Sequence, residues 1–476
     1  MGQRQSKEVQ QQPMPYEKRE EQFVEKREYL EAVEGDVLTV DPTILSKWGE
    51  RVMKDPKNRL AASAIASSSL DAVVSQRSAM EHDIQVFSDM VDVEGSPVTN
   101  QASSGRCWLF AATNVLRVAL MQKYNLKEFQ FSQAYLFFYD KLEKSNYFLT
   151  SVEETRDEPL DGRLVQHLLS SPTGDGGQWD FVVSLVEKYG LVPEYLYPDS
   201  AQAKSSAKFN GFITSKLCEY ALAMRDEDDA DRRKQMKQSY LRQIHDILVI
   251  CLGAPPQGSF TWEFRDKKDK FQSIRVSDPK DFYHRVLGFP AGEHFSLIDD
   301  PRNVKDHMYT VDRLENVVGG TPISYVNTTM ETLKEAAIKS IKANRPVFFG
   351  CDVGKFSDRD TGIMDPALLD YGLAFNTTIG TSKAQRLLLN QSQMTHAMVL
   401  TAVHIVDGKP VRWRVENSWT EAAGTKGYFV MTDKWMDEYC FQVVVHKSLA
   451  PPHLVKIWQE KKYKVLAPWD PLGSLA

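Results

Sequence analysis

The sequence predicts an α+β protein in which helices come first and a sheet follows. Two observations carry that expectation. Cys107 to Tyr124 is a helical stretch, apolar nearly all round through Leu109, Phe110, Ala111, Ala112, Val115, Leu116, Val118, Ala119 and Leu120, as a central helix buried on most sides would be. After Pro346, short β-rich runs return with turn residues between them: Val347–Phe349, His396–Ile405, Arg412–Glu416 and Lys426–Met431. They have the spacing of a small barrel-like sheet.

Taken in order, residues 1–35 are rich in Gln, Glu, Lys and Arg and read as a polar tail and arm. Its start, Met1-Gly2-Gln3-Arg4-Gln5-Ser6, matches the myristoylation pattern at Gly2; one acyl chain would give only weak, reversible membrane attachment. Residues 36–199 form a helical half that carries Cys107. Ser103 or Ser104 is the expected cap of the cysteine helix, and Ser132 that of a second helix from Gln133. The cluster Gly174-Asp175-Gly176-Gly177 is a turn that leads into a helix closed by Gly190.

Residues 200–320 read as an insertion of helices plus one hairpin, its arms Phe260–Phe264 and Phe271–Val276 and its turn Lys267–Asp269. A β-rich half, 321–455, carries His396 and Asn417. The final segment, 456–476, reads as an extended arm because Pro468 and Pro471 interrupt any helical period.

Composition narrows the function. The chain has 476 residues, 42% of them hydrophobic and 26% charged, so it folds as an ordinary globular protein. A net charge of -6 gives no overall electrostatic case for nucleic acid. No apolar run approaches the roughly 18 residues of a membrane span. The five cysteines are widely spaced and form no C-x-x-C pair, which fits a reducing, cytoplasmic setting. Neither H-E-x-x-H nor G-x-S-x-G occurs, so the zinc and serine hydrolase motifs are missing; no metal or cofactor is expected.

Cysteine chemistry is the remaining candidate. At the first turn of a helix, Cys107 faces the positive end of the dipole, which favours thiolate over thiol. Each candidate also has a plain structural reading: a lone cysteine is usually a small buried hydrophobe, paired glycines a simple loop, and a strand histidine a satisfied core residue. The combination points elsewhere. A thiolate needs a base and the base an orienting group, and His396 and Asn417 are 21 residues apart, a spacing suited to neighbouring strands.

In this order, Gln101, Cys107-Trp108, Gly176-Gly177, His396 and Asn417-Ser418-Trp419 resemble the papain-like cysteine peptidases. The runs Ser104–Ala111, Met394–Met398, Arg414–Trp419 and Trp469–Gly473 narrow the resemblance to the bleomycin hydrolase subfamily. It implies a papain-like fold with a large insertion, in which Cys107 is the nucleophile, His396 its acid and base, and Asn417 the group that holds the imidazole. Trp419 would shield that bond and Gln101 would donate to the oxyanion. Gly176, Gly177 and the α-carboxylate of Ala476 would bind substrate.

The resemblance further implies an aminopeptidase acting on peptides and small amides, with homocysteine thiolactone a further substrate. It also implies a homohexamer with an internal channel, which leaves nucleic acid as a secondary partner. A catalytically idle scaffold that binds peptide or nucleic acid is the alternative. Three features depart from the pattern. Cysteine and histidine stand much further apart than the usual ~130–150 residues, Ala102 replaces a usual Lys, and Thr420 replaces a common Gly.

Overall fold

The computed structural model describes residues 40–474. The polar tail with Gly2, and Ala476 at the other end, therefore lie outside the described residues. The chain divides into two compact units. The smaller comprises the described residues up to Ser75 together with Asp370–Ile379. Its helices α1 (Pro42–Lys54) and α2 (Pro56–Ser67) begin in the same way: Asp41 accepts from Thr43 N at 2.7 Å, Asp55 accepts from Lys57 N at 2.8 Å, and proline takes the first turn. Neither helix has a fully buried residue.

The larger unit, Gln76–Leu369 with Gly380–Ala476, is built on helix α3 (Cys107–Tyr124) and one twelve-stranded sheet. Leu109, Phe110, Leu116 and Leu120 of α3 are buried, and so are most of the residues between them. Each such apolar side chain contributes about 1.5–3 kcal/mol relative to exposure. Beside α3 stand α4 (Gln133–Glu154) and α5 (Trp179–Tyr189). Ser132 caps α4 by accepting from Tyr135 N, and Gly190, at φ 76°, closes α5. Helices α6 (Ala207–Asp226) and α7 (Ala230–Leu252) pack on α4.

The strands are β1 (Asp89–Met90), the hairpin β2 (Phe260–Arg265) and β3 (Phe271–Val276), then β4 (His294–Ile298), β5 (His307–Val311), β6 (Tyr325–Asn327) and β7 (Val347–Cys351). They continue as β8 (Ser357–Asp358), β9 (Ile363–Met364), β10 (His396–Val406), β11 (Lys409–Glu416), β12 (Tyr428–Thr432), β13 (Cys440–His446) and β14 (Tyr463–Leu466). The sheet runs β14-β5-β6-β4-β13-β7-β10-β11-β12-β9-β8, with β1 on β10. The hairpin stands apart from it, with Trp262 opposite Ile274.

The sheet runs from β14 to β8, and no pairing joins these two strands among the described residues. Three expectations need correction. Residues 200–320 hold more than helices and a hairpin, because β4 and β5 enter the main sheet, where β4 lies between β13 and β6. The final segment is only partly an extended arm. Pro452–Glu460 is helical, and β14 pairs in parallel with β5 because residues 463–466 find backbone partners there, Tyr463 opposite Met308 and Leu466 opposite Val311. The α3 cap is the Arg106 backbone, not a serine side chain; Ser104 Oγ instead donates to Gln101 O at 2.6 Å.

One ion pair ties the two layers together. Arg117, from the middle of α3, meets Glu416 at the end of β11, with both side chains essentially inaccessible. Arg117 also donates to Pro97 O at 2.6 Å. Removing one partner of such a pair leaves the other charge buried, at a cost of about 3–5 kcal/mol. Arg117→Met should therefore lower the unfolding free energy by an amount of that order, whereas Arg77→Ala, which breaks an exposed pair with Glu81, should change stability by less than about 1 kcal/mol. Urea unfolding of the two variants side by side checks this; equal losses would contradict it.

Candidate active site

Residues far apart in the sequence converge where α3 begins. His396 opens β10, and Asn417 follows β11 directly. These strands are antiparallel neighbours, with Val399 opposite Glu416, so the two side chains meet at one sheet end. His396 Nε2 lies 2.9 Å from Asn417 Oδ1, which also accepts from Ser418 N at 2.8 Å. An oxygen in that position requires Nε2 to carry the proton, which leaves Nδ1 with a free lone pair. The Trp419 ring lies 4.8 Å from the imidazole and covers it.

Cys107 is buried, and the Ala397 N–H, next to His396, points at its sulfur. Burial pushes the thiol up to about 11 and the imidazole down to about 4, the latter opposed by the bond to Asn417. The expected thiolate bias from the helix end is thus outweighed by desolvation. Burial disfavours the charged form of each group, the thiolate of Cys107 and the imidazolium of His396.

Gln101 is pinned at both ends of its amide. Oε1 accepts from Ser418 Oγ at 2.7 Å, and Nε2 donates to Ser104 O at 2.7 Å. The backbone adds Gln101 N to Ser418 O at 2.9 Å and a bridge between Asn100 and Trp419. Gln101 and the Asn417–Trp419 run are therefore one assembly. The loop onward to Cys107 is fixed by Arg106, which is fully buried, grips Asp199 with both nitrogens at 2.7 and 2.9 Å and donates to Ser104 Oγ.

The glycine cluster borders the same place. A Cβ on Gly177 would fall 2.4 Å from the Trp108 ring, so only glycine fits against the residue after Cys107. Gly177 has no backbone hydrogen bond among the described residues. Lys144 holds the turn from below through Gly174 O at 2.9 Å and Gly176 O at 2.7 Å, and Trp108 Nε1 donates to Asp175 O at 2.7 Å. Burial alone would raise the Asp175 carboxyl, but the Lys141 ammonium at 2.6 Å, Ser206 and the Gly105 N–H hold it well below the usual range.

Two cavities are lined by neighbours of these groups, one beside the glycine cluster and one beside Trp419. One, of about 360 Å³, is bounded by Lys144, His167, Gly176, Phe181 and Gly473. The other, of about 390 Å³, is bounded by Ala102, Ser103, Arg359, Trp419 and Thr420. The C-terminal segment reaches the first side. Leu472 is buried, Ser474 Oγ donates to Met394 O at 3.0 Å, and Gln178 Nε2 donates to Ser474 O at 3.3 Å. Ala476 lies outside the described residues.

Both single-residue departures from the family pattern border the second cavity, and both have left-handed backbones, Ala102 at φ 53° and Thr420 at φ 75°. For β-branched Thr420 this conformation costs about 1–3 kcal/mol, which is the physical reason glycine suits the position.

Sequence reasoning gives no role of their own to Ser418, Asp175 and Arg106. Ser418 reads only as part of a motif and Asp175 as a turn residue, while the ion partners Lys141 and Asp199 give no signal.

A model of the Peptidase C1-like family matches residues 39–473. The chain belongs to that family. It is a papain-like cysteine peptidase. It is 41% identical over 440 residues to bleomycin hydrolase of Gallus gallus, covering 90% of this chain and 96% of that one. Identity to cysteine proteinase 1, mitochondrial, of Saccharomyces cerevisiae is 40% over 456 residues, covering 92% and 93%. The crystal structure of PepW from Lactobacillus rhamnosis superposes with a TM-score of 0.89 at 39% identity, over 92% of this chain and 99% of that one. The mixed helix and sheet architecture is the papain-like one.

The opposed shifts at Cys107 and His396 predict a pH signature. Burial pushes the Cys107 thiol up to about 11 in the unaltered protein, so reaction at neutral pH needs a base; if His396 is that base, His396→Ala should slow iodoacetamide alkylation of Cys107 at pH 7 and leave only the rise towards about 11. The unaltered protein should react at neutral pH. Matching rate profiles for the two proteins would contradict the assignment.

Proposed function

We propose that the chain is an aminopeptidase whose amide bond cleavage is carried by Cys107, His396, Asn417 and Gln101. His396 Nδ1 takes the thiol proton as Sγ attacks the substrate carbonyl carbon. The resulting oxyanion accepts from the Gln101 amide and from the Cys107 N–H, one of the first-turn donors to which a helix gives no intrahelical partner. Collapse breaks the C–N bond, the imidazolium gives its proton to the departing amine, and a thioester remains. His396 then takes a proton from water, hydroxide adds to the thioester carbonyl, and the C–S bond breaks to return thiol and free carboxylic acid. Asn417 keeps the tautomer this requires, and Trp419 keeps water from the bond that fixes it.

The observation that carries the aminopeptidase reading is Ser474 lodged between Met394 and Gln178. With the arm on that side, the cleft has room for little more than one residue before the cleaved bond. Gly176 and Gly177 line that part of the cleft, and a carboxylate at Ala476 would pair with a substrate α-ammonium. Substrates are then peptides and small amides with a free amino end. Cys107→Ala should abolish turnover of an aminoacyl fluorophore. Deleting Gly473 to Ala476 should weaken aminopeptidase activity while admitting cuts inside N-acetylated peptides, which the intact enzyme leaves alone. Peptide mapping by mass spectrometry reads both, and an unchanged product pattern after deletion would remove the arm from the mechanism.

The assembly proposed is a homohexamer, with the widely spaced free cysteines favouring a cytoplasmic setting. Its support is the smaller unit, where Trp48, Val52, Met53, Leu60 and Phe375 are exposed on helices that bury little within one chain. Light scattering at micromolar concentration should give about six chain masses; one chain mass would dismiss the cage.

A further inference from the structure

We propose that Arg359 is a carboxylate receptor on the leaving-group side of the cleft, so that the enzyme prefers peptides carrying a carboxylate on the residue just after the cleaved bond. The inference rests on the aminopeptidase reading. If the arm occupies the side of Gly177 and Met394, the departing amine and whatever follows it must leave past Gln101 and Trp419. That path opens into the cavity bounded by Asn100, Ala102, Ser103, Arg359, Trp419 and Thr420.

Among the described residues, Arg359 is the single charged one lining this cavity. It stands in the turn between β8 and β9, which hydrogen bonds hold in place. Asp358 Oδ1 accepts from Thr361 N at 2.7 Å and from Thr361 Oγ1 at 2.6 Å, Gly362 N donates to Asp358 O at 3.0 Å, and Gly424 N donates to Arg359 O at 3.0 Å. The backbone is thus anchored while the residue is left exposed. The guanidinium lies 5.8 Å from the centroid of the Trp419 ring, and among the described residues it makes neither a hydrogen bond nor an ion pair.

The carboxylate nearest in sequence on the strand side, Asp358, is already engaged by Thr361. The other lining side chains are neutral, and Asn100 Oδ1 is taken up by Ala102 N at 2.9 Å. A planar fork of unused N–H donors matches a carboxylate bidentately. The indole that partly orients it is the same ring that covers His396, so the guanidinium is one ring away from the reacting bond.

A carboxylate could reach Arg359 from two sources: an Asp or Glu side chain on the first residue after the cleaved bond, or the C-terminal carboxylate of a dipeptide. Neutral references separate them. Kinetics with the full-length protein would compare Leu-Glu-amide with Leu-Gln-amide for the side chain, and Leu-Ala with Leu-Ala-amide for the terminus, with an aminoacyl fluorophore alongside. For a solvent-exposed ion pair the expected preference in kcat/KM is about two- to five-fold for one or both carboxylate substrates, shrinking with added salt.

In Arg359→Gln that ratio should fall to about one, in Arg359→Lys it should be partly kept, and in Arg359→Glu it should invert. A ratio near one in the unaltered enzyme for both pairs, or a preference that survives in Arg359→Gln, would overturn the inference while turnover of the fluorophore left the aminopeptidase reading standing. An inert fluorophore would remove both.

Discussion

The buried pair between Arg117 and Glu416 is the constraint on which the site depends. Glu416 is the residue before Asn417, and Arg117 lies on the helix that begins with Cys107. A charge without a counter-charge is not tolerated at that depth, so the end of β11 is held against the flank of α3. A guanidinium that also bonds Pro97 O brings in the segment leading to Gln101. Three stretches of chain that supply three different chemical groups are thus referred to one side chain.

Around that anchor, the polar groups of the site are arranged so that each acts through a neighbour. Ser418 gives its N–H to the oxygen that orients His396 and its hydroxyl to the oxygen that orients Gln101. One residue therefore fixes both the oxygen bonded to His396 and the amide of Gln101. Asp175 acts similarly on the other flank, where its carbonyl accepts from Trp108 while its carboxylate takes Gly105, Ser206 and Lys141. Each of these groups is fixed by its neighbours and not by solvent, which is the arrangement electrostatic preorganisation requires.

Much of this was legible in the sequence because the signals were periodic or local. The all-round apolar pattern of Cys107–Tyr124, the Ser132 cap, the Gly190 stop and the hairpin around Trp262 each follow from neighbours within a few residues. What escaped were features settled at long range. Strands β4 and β5 looked like part of an insertion because β6, which pairs with both, lies just past residue 320, and their other partners, β13 and β14, are more than a hundred residues away. Asp175 reads in the sequence only as a turn residue and Lys141 gives no signal, because what lets both charges be buried is their pairing in the fold. The helix dipole at Cys107 was a sound local argument that lost to burial, a property of the whole core.

The bond between Ser418 and Gln101 spans 317 positions along the chain. Contacts so distant form only after the intervening loops have closed, and closure entropy makes such pairings slow to accumulate during folding. The thiol, by contrast, belongs to a helix that can form early from its own residues. The groups around Cys107 are thus drawn together by pairings distant in sequence, while Cys107 itself starts a segment whose contacts are local.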